Sequence, residues 1–316
     1  MAYQLIAAAV IVLAVCFFAH NAMHNMRSRG IQSGFDFLAQ PAGFDIGESL
    51  IAFESAMSYG RAFAAGFFNT LRVAGVAIVL SALLGTLLGI GRFSGSVLVR
   101  GLCHAYVEFF RNTPVLLQLL MWYLLMTEFL PSSTEAWQLG PFFLSKGGFS
   151  VPMPIWLAGT ASLHFDLPHK GAFAIEGGAA LTPEFMAVLF GLTTYTAAFV
   201  AEIVRAGIRS VPRVQGEAAA ALGLSRHQEM RLVTMPQAMR VIVPPLTNQF
   251  LNVTKNSSLA VAIGYPDLVS IANTSMNQTG RAVECITIVM GTYLVISLGT
   301  SALMNRYNAR SIIKER

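Results

Sequence analysis

The chain contains few charged residues and few cysteines. Asp, Glu, Lys and Arg make up only 12% of its 316 residues, whereas they supply about a quarter of an ordinary soluble domain. Because 54% of the residues are hydrophobic and the mean hydropathy is +0.59, an ordinary soluble domain is excluded. Cys16, Cys103 and Cys285 lie far apart, with neither metal-ligand spacing nor the density of a disulfide framework. We expect them to be packing residues.

The sequence also lacks the motifs of several enzyme classes. No GxxxxGK[ST] phosphate-binding loop occurs, so any ATP must be hydrolysed by another polypeptide. No histidine lies inside an apolar run near a serine or aspartate that would complete a catalytic pair. His164 and His169 flank Asp166, but without a fourth ligand an exposed polar loop is favoured over a metal site. We therefore predict that the chain is not an enzyme and binds no metal.

Long apolar runs dominate the rest of the sequence. A span of the hydrocarbon core needs about 20 residues, and the strand alternation that a membrane barrel requires does not recur. The sequence therefore predicts an all-α integral membrane protein with about six transmembrane helices. The candidate spans cover residues 3–19, 63–90, 113–130, 185–204, 241–264 and 285–304.

The predicted domains are residues 1–62, a transmembrane helix and a periplasmic loop, and residues 63–316, the main transmembrane domain. The first apolar run has no basic segment before it and no small-residue cleavage site after it, which favours an uncleaved helix over a signal peptide. The long connections 20–62 and 131–182 are rich in Gly, Pro and aromatic residues. We expect them to be periplasmic loops without a catalytic site.

The distribution of basic residues predicts the orientation. With the N-terminus in the cytoplasm, the inner connections 91–112, 205–240 and 305–316 hold 13 of the 21 Lys and Arg residues, and the longer outer connections hold six. This asymmetry follows the positive-inside rule. We therefore predict that both termini are cytoplasmic, and the net charge of +5 calls for no nucleic-acid partner.

One cytoplasmic connection, residues 209–240, carries the most specific pattern in the chain. It reads Glu217, Ala218, Ala219, three residues, Gly223, nine residues, Val-x-Met and Pro236. Residues 214–222 favour a helix, and Gly223 can take the left-handed conformation that ends one. A Ser-x-x-Gln capping box at 225–228 then starts a second helix, which Pro236 ends or kinks. An ordinary amphipathic helix pair at the membrane surface is the alternative.

This spacing resembles the cytoplasmic loop of permease subunits in bacterial ATP-binding-cassette importers. Other segments resemble the polar amino acid permease family of histidine, glutamine and arginine uptake systems, in particular the general L-amino acid and glutamate/glutamine/aspartate/asparagine transporters. Such permeases are expected to carry more N-terminal sequence than this chain. The matching segments are GFFNTL at 66–71, YVEFFRNTPVLLQ at 106–118, YTAAFVAEIVRAGI at 195–208 and KNSSLAVAIGYPDL at 255–268.

The resemblance implies a multi-pass subunit of the bacterial inner membrane that forms half of an importer channel. Its partners would be a second homologous permease, two ATPase subunits and a periplasmic amino acid-binding protein. The chain itself would bind no cofactor, and ATP-Mg would lie on the partner ATPase. The residues expected to couple the ATPase to the channel are Glu217, Ala218, Ala219, Gly223 and Pro236.

Ionisable residues at membrane depth point to function. Glu108 with Arg111, and Glu202 with Arg205, are each three residues apart, so each pair shares a helix face. We predict structural or gating ion pairs at both places. Arg72 is expected to snorkel or to face the bundle interior. In the same helix Ser81, Gly85 and Gly89 form a small-residue stripe that permits close helix packing.

A polar interruption in the fifth span predicts a substrate pathway. Lys255, Asn256, Ser257 and Ser258 lie where a broken helix would expose donors to a cavity, and Glu202 is the nearest candidate acceptor for an ammonium group. A polar helix interface is the alternative. Two other protein classes compete: a secondary transporter explains the membrane charges but not the loop, and a membrane enzyme lacks a nucleophile and base at membrane depth.

Overall fold

Helices form most of the computed structural model, which describes residues 2–28, 30, 33–157 and 162–311. Single π-helical turns cover Leu125–Phe129 and Met230–Thr234, and a 3₁₀ helix covers Ser257–Ile263. The α-helices are α1 (Ala2–Ser28), α2 (Tyr59–Gly91), α3 (Val97–Asn112), α4 (Val115–Leu124), α5 (Pro183–Ser210), α6 (Arg213–Ala221), α7 (Arg226–Glu229), α8 (Met235–Asn256), α9 (Leu268–Thr279) and α10 (Ala282–Ser311).

Three helices in the described part of the chain are long and apolar enough to cross a membrane: α2, α5 and the segment Ala282–Ala302 of α10. Two other predicted spans are present as shorter apolar helices, Tyr3–Phe18 and Val115–Phe129. The predicted fifth span corresponds to α8 and the 3₁₀ helix after it. The predicted helical membrane fold is therefore confirmed.

Helices α2 and α5 run in the same direction and pack closely along their length. Glycines of α2 make this possible: a Cβ atom at Gly85 would lie 2.5 Å from Cβ of Val200, and one at Gly89 would lie 2.8 Å from the carbonyl oxygen of Ala201. The small-residue stripe predicted from the sequence is therefore a contact surface, and α5 is the helix it contacts.

The connection 131–182, expected to be loops, contains eight short strands. They form an antiparallel sheet in the order β1-β2-β3-β8 and two hairpins, β4-β5 and β6-β7. The low charge of the segment and its β-branched and aromatic residues favour such pairing. The strands are β1 (Trp137–Leu139), β2 (Phe142–Ser145), β3 (Gly148–Val151), β4 (Met153–Leu157), β5 (Ser162–Asp166), β6 (His169–Lys170), β7 (Ile175–Glu176) and β8 (Ala179–Leu181).

We call the end of the helix bundle that carries these strands the strand end, and the end that carries α6 and α7 the loop end. Thr182, directly after β8, caps α5 by accepting a hydrogen bond from the Phe185 amide. Glu202 lies near the other end of α5, where it pairs with Arg92 just beyond α2. Both helices therefore run from the strand end to the loop end.

At the polar interruption of the fifth span, the α-helix ends at Asn256 and the chain continues as a 3₁₀ helix. Helix α8 passes directly into the 3₁₀ helix, and the chain turns only at Gly264, which has a φ of 82°. The hydroxyl of Ser257 donates to the carbonyl of Thr254, and that of Ser258 to the carbonyl of Lys255, both at 2.7 Å. These hydroxyls occupy carbonyls that the tightening of the helix would otherwise leave unpaired.

Beyond Gly264 the chain is anchored against α2. The Asn69 side chain donates to the carbonyl of Pro266 at 2.9 Å, and the Thr70 hydroxyl accepts from the Leu268 amide at 3.1 Å. A Cβ atom at Gly66 would lie 2.9 Å from the Ile271 side chain, so only glycine lets α9 approach this closely. These contacts account for Gly, Asn and Thr in the segment GFFNTL.

The segment before α2 packs on the junction of α9 and α10. Arg281 donates to the carbonyl of Gly34 and to both carboxylate oxygens of Asp36, and Glu284 accepts from the Gly34 amide. The hydrogen bond from Arg281 lowers the pKa of the Asp36 carboxyl. Phe37 completes the contact within an apolar cluster that contains residues from both sides of the predicted boundary at residue 62.

The α2–α5 contact generates a stability prediction. We expect Gly85→Ala to destabilise the protein by about 1–3 kcal/mol, because the added methyl overpacks the interface. Gly75→Ala is the matched control, since a Cβ atom there has nothing within 4 Å and alanine favours helix. The measurement is the thermal unfolding midpoint of the purified protein in detergent. Equal midpoints for the two variants would contradict the role of Gly85.

Candidate docking loop and ion-pair cluster

The loop between α5 and α8 folds as the predicted helix, tight turn and helix. Helix α6 ends at Ala221, and Gly223 follows with a φ of 79°. The Gly223 amide donates to the carbonyl of Ala220 at 2.9 Å, and the Leu224 amide to that of Ala219 at 3.1 Å. This pair of bonds is a Schellman motif. The left-handed glycine predicted at 223 is confirmed.

The second helix starts at the predicted capping box. Ser225 accepts from the Gln228 amide at 3.4 Å, and the Gln228 side chain accepts from the Ser225 amide at 2.9 Å. Pro236 was expected to end or kink this helix, and the helix continues past it with an irregular turn directly before. Pro236 lies in the first turn of α8, and the interruption is the π turn Met230–Thr234 directly before it. The wider turn accommodates a residue without an amide hydrogen.

One face of α6 packs within the loop, and the other is exposed. Ala219 is buried, and a Cβ atom at Gly216 would lie 2.6 Å from Oε1 of Glu229, so α6 lies tightly against the start of the second helix. Glu217 and Ala218 are exposed. Exposed apolar side chains lie on the same loop: Val214, Leu222 and Leu232. An exposed carboxylate among small and apolar residues suits a protein partner better than water.

Three arginines surround Glu202 near the loop end of α5. Arg205 binds its carboxylate through two nitrogens, and Nη1 of Arg92 lies 2.6 Å from Oε2. Arg111 lies 3.9 Å from the same oxygen. The predicted Glu202–Arg205 pair is therefore present, within a larger cluster. Arg92 was not predicted from the sequence, where its only indication is its position directly after a predicted span.

The predicted pair of Glu108 and Arg111 is wrong: both residues are described, and no salt bridge joins them. Arg111 instead lies over the ring of Phe199, 5.5 Å from its centroid, and faces Glu202 on α5. Glu108 is exposed. The tertiary packing of α3 on α5 offers Arg111 a partly buried carboxylate, which outweighs an exposed pair on its own helix.

The predicted pathway residues do not form one site with Glu202. Both Glu202 oxygens are already bound by arginines, so they are not free acceptors for a substrate ammonium. Ser257 is buried. Lys255 is exposed and makes no salt bridge with any residue in the described ranges. It lines a groove of about 670 Å³ with residues of α10, among them Met290, Tyr293 and Leu294, none of which the sequence analysis identified.

A second buried ion pair lies toward the strand end. Nη1 of Arg72 is 2.5 Å from Oε1 of Glu48, and the Thr182 hydroxyl donates to the other Glu48 oxygen. The Arg72 guanidinium also stacks 4.2 Å from the ring centroid of Phe185. Arg72 therefore faces the bundle interior, as expected. Its carboxylate partner, Glu48, was missed because nothing in the sequence links residues 24 positions apart.

The segment 106–118 joins α3, α4 and α5. The Gln118 side chain donates to the carbonyls of Phe110 and Thr113, both at 2.9 Å, and so closes the turn between α3 and α4. The Tyr106 hydroxyl donates to the carbonyl of Thr194 on α5 at 3.0 Å. These contacts hold α3 against α5 beside the Glu202 cluster.

This fold defines a helical membrane protein with a helix-turn-helix loop exposed at one end of the bundle. Residues 77–313 match the family model described as the binding-protein-dependent transport system inner membrane component. The chain belongs to this family of inner-membrane permeases, which confirms the resemblance seen in the sequence.

Two relatives match almost the whole chain. The putative amino-acid ABC transporter permease protein YhdX of Escherichia coli is 40% identical over 99% of this chain and 94% of its own length. The general L-amino acid transport system permease protein AapQ of Rhizobium johnstonii is 40% identical over 99% of this chain and 92% of its own.

Solved structures share the fold. A chain of an amino acid ABC transporter with histidines has a TM-score of 0.59 and 27% identity, and the match covers 80% of this chain and 95% of that one. A chain of the MetNI methionine ABC transporter has a TM-score of 0.56 at 17% identity, covering 80% of this chain and 97% of that one. The second likeness supports the fold alone.

The Glu202 cluster predicts unequal effects of two similar substitutions. We expect Glu202→Gln to lower stability by about 1–2 kcal/mol, because it leaves Arg92 and Arg205 without their carboxylate in a partly exposed site. Glu108→Gln is the matched control and should leave stability unchanged. Thermal unfolding midpoints in detergent distinguish the two. A larger loss of stability with Glu108→Gln than with Glu202→Gln would instead support the Glu108–Arg111 pair expected from the sequence.

Proposed function

We propose that this permease imports L-amino acids by pairing with a second homologous permease and two ATPase subunits, with a periplasmic binding protein delivering the cargo. One observation supports this above the others: the α6–α7 loop exposes Glu217 and Ala218, while Met230, directly after α7, packs against apolar residues of α5 and α8. ATP-Mg would be bound by the partner ATPase, because this sequence has no phosphate-binding loop.

In this proposal the loop transmits force. It is joined to α5 through the short link at Val211 and Pro212, and to α8 through the π turn. The approach of Gly216 to Glu229 holds α6 against the second helix of the loop, and Met230 packs against an apolar cluster of α5 and α8. Closure of the ATPases would move this unit with α5 and α8 and shift the population between inward- and outward-open states.

The proposed orientation follows from charge. Arg residues are concentrated at the loop end, where Arg92, Arg100, Arg205 and Arg209 line one cavity, which favours the cytoplasmic side for this end. Both termini would then be cytoplasmic, the strands β1–β8 would lie in the periplasm, and the loop would face the compartment that contains ATP.

The proposed cargo rests on two kinds of support. The matching relatives are named as amino-acid permeases, including systems for general L-amino acids and for glutamate, glutamine, aspartate and asparagine. Within this chain, Lys255 has no salt-bridge partner among the described residues and lies beside an apolar groove, a suitable place for a carboxylate passing along the interface with a second permease. Asn256 and Ser258 lie on the same turn of helix.

The docking role of the loop generates a coupling prediction. We expect Glu217→Lys, and separately Gly223→Asp, to reduce amino acid uptake at least about tenfold, a loss of about 1.4 kcal/mol in coupling, while ATPase activity persists. Glu217→Lys reverses a charge on the exposed face, and Gly223→Asp strains a left-handed turn. The measurement is uptake and ATP hydrolysis by the whole transporter reconstituted in vesicles.

Glu135→Lys is the matched control for the charge reversal, because Glu135 is an exposed carboxylate at the strand end. It should leave both uptake and hydrolysis unchanged. Full ATP-driven uptake by both loop variants would refute the docking assignment without affecting membership of the permease family.

The pathway role of Lys255 generates a second prediction. We expect Lys255→Ala to slow uptake about three- to tenfold, as the loss of one exposed charge contact of about 1 kcal/mol implies. Lys255→Arg should preserve most of the rate, because it keeps the cation. The affinity of the binding protein for its amino acid, measured separately, should not change. Equal uptake by the alanine variant and the unmodified protein would favour the polar interface instead.

A further inference from the structure

A basic cavity of about 380 Å³ lies at the loop end between α3 and α5, outside the proposed substrate pathway and the docking loop. Helix α3 contributes one face to it, at positions spaced as 97, 100, 101 and 104, which share a side of a helix. The cavity is lined by Arg92, Phe93, Val97, Arg100, Gly101, His104, Arg205 and Arg209.

The cavity has an uncompensated positive charge. Four of its lining residues are arginines, and the carboxylate that reaches this cluster is Glu202, which binds Arg92 and Arg205. Arg100 and Arg209 make no salt bridge with any residue that the structure describes, and both are exposed. Two guanidinium groups, on different helices, are therefore available to a ligand on the same cavity.

The neighbouring histidine adds to the site without neutralising it. Nη2 of Arg92 lies 3.0 Å from Nδ1 of His104. An arginine nitrogen can only donate, so the His104 ring accepts this hydrogen bond through Nδ1. Guanidinium groups bind phosphate through paired hydrogen bonds. The donors around the cavity therefore match an anionic phosphate better than a carboxylate, which offers fewer oxygens.

Apolar side chains border the same cavity. Phe93 and Val97 line it, with relative exposures of 40% and 73%. A soluble anion gains nothing from contact with apolar side chains, whereas a phospholipid carries acyl chains next to its phosphate. Basic pockets between helices at the edge of a membrane bind anionic headgroups in this way.

We propose that this cavity binds the phosphate of an anionic glycerophospholipid, with Arg100 and Arg209 as the principal ligands and Phe93 and Val97 against the acyl chains. The bound lipid would bridge α3 to α5 next to the Glu202 cluster. The proposal depends on the protein being a membrane permease, and it is independent of the docking loop and of the transported amino acid.

The test compares lipid binding by the whole transporter in nanodiscs or detergent, by native mass spectrometry and by thermal unfolding. Phosphatidylglycerol should bind and raise the unfolding midpoint, and phosphatidylcholine should not. The double variant Arg100→Gln/Arg209→Gln should weaken phosphatidylglycerol binding about tenfold or more. Arg226→Gln/Arg240→Gln is the matched control, because it removes two exposed arginines at the same end but outside the cavity, and it should bind normally.

Three results would overturn the proposal. Equal phosphatidylglycerol binding by the double variant and the control would show that the cavity is not the site. Displacement of the lipid by inorganic phosphate at millimolar concentration would assign the cavity to a soluble anion. Loss of the second permease subunit from the double variant in phosphatidylcholine would assign this face to a protein interface.

The single variant Arg209→Lys keeps the proposal testable if the double variant does not fold. Lysine retains the charge but loses the paired hydrogen bonds. Its affinity for phosphatidylglycerol should therefore fall, but by less than that of Arg209→Gln. Unchanged affinity in both would contradict the role of Arg209.

Discussion

The close contact between α2 and α5 is the constraint on which the other parts of the structure depend. Gly85 and Gly89 remove the side chains that would hold the helices apart, so their backbones approach to a distance that only small residues allow. In a membrane, where lipid chains are as apolar as leucine, such packing is a main source of helix association. The contact fixes α5, and α5 in turn carries α3, α4 and α8. The docking loop follows directly from its last turn.

Ion pairs secure this contact near each end. Toward the strand end, Glu48 and Arg72 join the segment before α2 to the start of α5 through Thr182. Toward the loop end, Arg92 and Arg205 share Glu202. Charges in a medium of low dielectric constant are costly unless paired, so each carboxylate limits where its arginines can lie. The excess of arginine beside Glu202 also creates the basic cavity, so the contact that stabilises the bundle leaves donors for a ligand.

The conformation of the loop depends on turn and capping residues near one another in sequence and on packing contacts between its helices. The turn after α6 is determined by Gly223, and the start of α7 by the Ser225 capping box; both lie within six residues. Its rigidity, however, comes from burial of Ala219 and from the approach of Gly216 to Glu229. The π turn before Pro236 joins it to α8 without a free linker. A unit held in this way moves with the helices on both sides, which is what transmission of an ATPase movement requires.

The sequence by itself determined the membrane class, the positions of the long apolar helices, the loop with its left-handed glycine and capping box, and the family. These features depend on composition, or on residues a few positions apart, where helix and turn propensities act. Only the tertiary structure decided that Arg111 turns to Glu202 and not to Glu108, that Glu48 is the partner of Arg72, that the segments β1–β8 pair as strands, and that the chain turns at Gly264. Each of these results depends on groups brought together from distant positions, and a charge or a backbone amide selects the partner that packing places beside it.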